Sequence, residues 1–169
     1  MKDLPNFLSG IVRLWGFHLY REDLYRRTLS IHNLGSLRRV CSQGYSSSLL
    51  YKKEIQWVYD SSKRTLEDGD IHEHQNRNAL PSSELTVEDK PFLLKKIVEI
   101  ENKTITLYQA LLAQANLSYD ATSILSDHLA KLNDIKSKLY LEINSDIPTA
   151  HFPLPELSKI PDTLLHAVA

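Results

Sequence analysis

The sequence predicts an all-α fold in which four long helices pair into two antiparallel hairpins joined by one long connection. Three observations predict it. Prolines stand only at positions 5, 81, 91, 148, 153, 155 and 161, which leaves long proline-free stretches between them. Apolar residues within those stretches recur at alternating spacings of three and four, the period of a helix rather than a strand. The first and last connections are about four residues long, which forces antiparallel neighbours, whereas the middle one takes about twenty.

The first helix carries the stripe Leu8, Ile11, Trp15, His18, Glu22, Tyr25, Leu29, and "HNLGS" ends it, with Gly35 as the stop and Ser36 as a cap for the next. The second runs from Leu37 to about Leu66 on Leu37, Cys41, Gly44, Ser48, Tyr51, Ile55 and Val58. Gly44 and the serines at 46–48 are weak helix formers, but they let a neighbouring helix come close. The third starts near Glu88 or Pro91, where proline suits a first turn, and follows Leu94, Ile97, Glu101, Thr104, Ile105, Tyr108 and Leu112. After "NLSYD", with Ser118 or Asp120 as cap, the fourth repeats Ala121, Leu125, His128, Leu132, Ile135, Leu139 and ends before Pro148.

These elements divide the chain into a bundle over 1–146, with a crossover at about 67–87, and a Pro-rich tail over 147–169. A thirty-residue helix is about 45 Å long, a distance that about fourteen extended residues cover. The middle connection is therefore long enough to return along the bundle and start the third helix where the second began.

Composition narrows the functional classes. Twenty basic and twenty-one acidic side chains give a net charge of -1, without the basic excess of a nucleic-acid binder. The single cysteine, Cys41, forms no internal disulfide or multi-cysteine zinc site, which suits a reducing, cytoplasmic setting. The run "FLSGIVRLWGFHLY" is interrupted by Arg13 and too short for a membrane span; it reads as the start of a core helix. Five glycines make no phosphate loop, no glycine-framed elbow surrounds "SSS", and Cys41 on a helical stripe reads as a buried small residue.

The densest cluster of chemistry-bearing residues is "EDGDIHEHQNRN", Glu67 to Asn78. A calcium loop needs a glycine where Glu73 stands. His72 and His74 lack the partners to complete a zinc shell. A histidine-based pH response is open to it, but its length points first to a polar crossover.

The second hairpin, "IVEIENKTITLYQALLAQANLSYDATSILSDHLAKLNDIKSKL", places Glu101 ahead of Tyr108, Ala110 and Leu111, and follows with Asp127, Leu129, Lys131 and Leu132. Together with the crossover topology it resembles the ferritin-like superfamily, in particular bacterial ferritin-like domains that are uncharacterised or stress-associated. A metal-binding member would carry Glu-x-x-His on two helices, and no acid in this chain has a histidine three residues later.

What remains is a set of ionisable residues on apolar stripes, with Glu54 flanking its own, which burial would make costly unless they are paired. Glu22, Glu54, Glu101 and His128 are the candidate ligands of a non-standard iron or manganese site, the basis of an oxidoreductase or iron-handling reading. His18 and Tyr108 are candidate polar-core residues. The simpler expectation is a cofactor-free, non-enzymatic structural or interaction bundle, in which Glu101 pairs with His128 or accepts the Tyr108 hydroxyl. Phe7, Leu14, Phe17 and Tyr20, off the stripe, suggest a homodimer through helix faces, and the tail's "PLPELSKIP" suggests a docking peptide.

Overall fold

The computed structural model describes residues 4–64, 89–114 and 117–145. Among them are four α-helices and no strand: α1 Leu4–Leu29, α2 Leu37–Lys63, α3 Lys90–Leu112 and α4 Tyr119–Ser145. No helix is long and apolar enough to cross a membrane. The expected crossover and the Pro-rich tail fall on residues outside the described ones.

Local signals account for three helix ends. Arg26 and Arg27 sit in the last turn of α1, where positive charge suits the helix dipole. The turn that follows needs two left-handed residues, Asn33 at φ 63° and Gly35 at φ 57°, and uses types that tolerate that region. Pro91 lies in the first turn of α3. Ser118 caps α4 as expected, its hydroxyl accepting from the Ala121 N–H at 3.2 Å. Ser36 does not cap α2; its hydroxyl bonds Glu142 on α4 instead.

Two apolar layers fix the topology. One joins the start of α1 (Phe7, Ile11, Leu14) to the end of α2 (Ile55, Val58), the end of α3 (Leu111) and the start of α4 (Ala121, Leu125). The other joins the end of α1 (Leu24) to the starts of α2 (Leu37, Cys41) and α3 (Leu94, Ile97) and the end of α4 (Ile135, Leu139). Thus α2 and α3 point the same way, and α1 and α4 the other. α1 packs on α2 and α3, α4 packs on the same two, and the pairs α1–α4 and α2–α3 are diagonals.

The stripes of α2 and α4 are buried at every expected position. That of α1 differs. Its core side is Leu14, His18, Arg21, Leu24, Tyr25 and Thr28, while Trp15 is 37% exposed and Glu22 lies at the edge. Burial of Phe7 and Leu14, and packing of Phe17 and Tyr20 against the second layer, corrects the expectation that these four form an outer face. They face inward or sideways, so they give no support to a dimer.

Close approach explains Gly44. A Cβ there would come within 2.2 Å of the Tyr25 ring, far inside van der Waals contact. The serines that follow bond their own helix: the Ser47 and Ser48 hydroxyls both donate to the Gly44 carbonyl.

Candidate functional site

Between the two apolar layers lies a band of buried polar side chains contributed by all four helices. Arg21 stands at its centre, with no exposed surface. Its Nε and Nη2 both donate to Glu101 Oε1, at 2.9 and 2.8 Å, and Nη1 donates to Ser48 Oγ at 3.1 Å. The Tyr25 hydroxyl donates to the same Oε1 at 2.5 Å. Burial is the largest influence and opposes the charge on Arg21, but Glu101 together with the Tyr25 and Tyr108 hydroxyls holds the guanidinium above its usual range.

From Arg21 a line of hydrogen bonds runs outward. Arg21 Nη1 lies 2.9 Å from His18 Nδ1, His18 Nε2 lies 2.8 Å from the Tyr108 oxygen, and that oxygen lies 2.8 Å from His128 Nδ1. His128 Nε2 ends the line 2.5 Å from Glu54 Oε2. The first four residues are buried, whereas the Glu54 side chain is 41% exposed. Tyr51 stacks on His128 with ring centres 3.9 Å apart and meets His18 edge-on.

The donors and acceptors along this line have one assignment in which every polar hydrogen, that of the Tyr108 hydroxyl included, finds an acceptor. A guanidinium has donors and no acceptor, so His18 Nδ1 must accept, and its proton must sit on Nε2. His18 then donates to the Tyr108 oxygen, Tyr108 donates to His128 Nδ1, and His128 Nε2–H donates to the Glu54 carboxylate. Both imidazoles are neutral in this scheme. Burial first, and then the Arg21 charge, keeps His18 well below its usual pKa. Burial also lowers His128, against the pull of Glu54 in the other direction. Burial holds the Tyr108 hydroxyl far above its usual range, so it keeps its proton.

The residues singled out from the sequence separate accordingly. Glu54, His128, Tyr108 and His18 join in one line. Glu101 belongs to Arg21 and Tyr25; it contacts neither His128 nor the Tyr108 hydroxyl, contrary to the pairing expected. Glu22 is apart from all of these, in an ion pair with Lys52 on the α1–α2 side. Among the described residues, no group of three or more His, Cys, Asp or Glu is placed to hold a metal ion. Glu101 Oε1 is taken by Arg21 and Tyr25 and both His128 nitrogens are bonded, whereas Glu101 Oε2 is buried without a hydrogen-bond partner among the described residues. Arg21 was missed in the sequence because its neighbour Glu22 fits the three-four count equally well. The signal that could have found it is the spacing to His18 and Tyr25, three and four residues away.

A second feature lies on the outside of α1 and α2. Ile11, Val12 and Trp15 face Ile55, Gln56 and Tyr59 across a groove of about 200 Å³. Val12 is half-exposed, and Lys52 stands over the Trp15 ring at 5.8 Å from its centre.

No protein-family model matches the chain, and no curated protein or solved structure matches it.

Proposed function

We propose that this chain is a non-enzymatic helical bundle, of ferritin-like helix order, that acts as a structural or protein-interaction scaffold. The observation that carries the reading is Arg21. Its guanidinium fills the centre of the polar band with a fixed positive charge and takes Glu101 Oε1, while Glu54 and His128 bond each other and Glu22 pairs with Lys52. Such a band ties four helices into one register, a role attested for buried polar groups elsewhere. The parallel run of α2 and α3 supports the helix order. The outward work then falls to the helix faces, of which the α1–α2 groove, with Trp15 and Tyr59, has the aromatic character of a recognition surface.

Elemental analysis of the purified full chain, expressed with iron and manganese supplied, tests the reading. It expects well under one metal ion per chain. A stoichiometric metal that is lost on Glu54→Ala or His128→Ala would overturn it in favour of an iron- or manganese-handling protein.

A further inference from the structure

The groove between α1 and α2 has apolar walls, one aromatic ring on each helix and a charge at each end. Lys52 lies at the Trp15 end, where Glu22 also holds it. At the Tyr59 end is Asp60, which accepts from Gln56 Nε2 at 3.1 Å. Paired aromatic walls of this kind suit proline-rich segments, whose extended backbone loses little entropy on docking.

The chain itself contains one such segment. Residues 152–161, "FPLPELSKIP", carry three prolines, with Glu156 and Lys159 between them. We propose that this segment docks into the α1–α2 groove of its own chain, with Glu156 towards Lys52 and Lys159 towards Asp60. The inference rests on the reading of this groove as the interaction face, and it names the occupant.

Direction, reach and spacing agree. α4 ends at Ser145, at the end of the bundle where α2 begins, as the Ser36–Glu142 bond shows. A segment arriving from there travels along α2 in the direction of increasing residue number. It therefore meets Lys52 before Asp60, as Glu156 precedes Lys159. The path to Lys52 is about 26 Å along α2 plus about one helix width of 10 Å around it. The eleven steps from Ser145 to Glu156 cover about 36 Å when extended. Three residues of polyproline geometry advance about 9 Å, and the eight residues from Lys52 to Asp60 about 12 Å, a difference within the reach of a lysine side chain.

Trp57 is the only other tryptophan and is half-exposed, so Trp57→Phe leaves Trp15 as the sole probe in the full chain. Quenching of its fluorescence by acrylamide, a neutral molecule, reads cover over the groove. Asp60→Lys alone and Lys159→Asp alone should each raise the quenching constant about twofold, and the two together should restore it. Ile160→Ser with Pro161→Ser should raise it as well, through lost apolar contact, and far-UV circular dichroism checks that each bundle stays folded. Equal quenching in all variants would overturn the proposal. So would quenching that falls as protein concentration rises from about 1 to 100 µM, because the occupant would then be a second copy. Metal content is read separately, so failure of the scaffold reading is distinguishable from failure of the docking.

Discussion

Arg21 and Glu101, eighty residues apart in sequence and both without exposed surface, are joined by two hydrogen bonds that converge on a single oxygen, Glu101 Oε1. The second oxygen, Oε2, is buried without a partner among the described residues. The pair links α1 to α3 across the middle of the bundle, and Tyr25 and Ser48 complete it. A buried pair of this kind adds little net stability over an apolar one, yet removing one partner strands the other charge.

Glu101→Gln and Arg21→Met should therefore each lower the unfolding free energy by about 3–5 kcal/mol. Since each single substitution strands the opposite charge and the double substitution strands neither, the double substitution should cost clearly less than the sum. Denaturant melts of the four proteins check this. Additive losses would mean that the two side chains act independently.

Tyr108→Phe removes only a hydroxyl but leaves both the His18 Nε2–H and His128 Nδ1 without a partner. At about 1–3 kcal/mol for each stranded group, the loss should be about 2–6 kcal/mol, far above that of an exposed tyrosine such as Tyr119. The same melts provide the comparison, with Tyr119→Phe as the control.

Stability should fall as the medium is acidified. The His18 and His128 pKa values are depressed in the folded chain, so the unfolded chain takes up their protons first, from about pH 6.5 downward. Their contribution is whole above that pH and declines as pH drops through it, by up to about 1.4 kcal/mol per pH unit for each histidine. His128→Asn, whose side-chain oxygen still accepts from Tyr108, should remove about half of the slope between pH 7 and 5. Thermal melts across that range measure it, and an unchanged slope would contradict the assignment.

Gly44→Ala should cost about 1–3 kcal/mol, well beyond a change of helix propensity, which by itself would favour alanine. The added methyl meets the Tyr25 ring, and Tyr25 has no freedom to withdraw because its hydroxyl is held by Glu101. If the substitution proves stabilising, the close packing of α1 on α2 is wrong at this level.

The fold was largely legible because proline placement and three-four spacing are local properties, and α2 and α4 follow them residue for residue. Connection length carried the helix directions as well: about twenty residues between α2 and α3 agree with their running parallel. The site was legible in its members but not in its wiring. His18, Tyr108, Glu101 and His128 stand out as polar residues on apolar stripes, and Glu54 flanks one. Which of them meet depends on helix rotation, and a shift of one residue, 100° around the helix, separates Arg21 in the core from Glu22 at the edge. Once Arg21 is inside, it takes Glu101 from the histidines, and no periodicity count reveals that exchange.

The protonation of His18 decides the wiring of the polar band. Nitrogen-15 chemical shifts of the full chain at pH 7 distinguish the tautomers of both buried histidines. The assignment that gives every polar hydrogen of the line an acceptor has His18 and His128 neutral, with the proton on Nε2 in each. A proton on His18 Nδ1, or a charged imidazole at either position, would contradict the line of hydrogen bonds from Arg21 to Glu54.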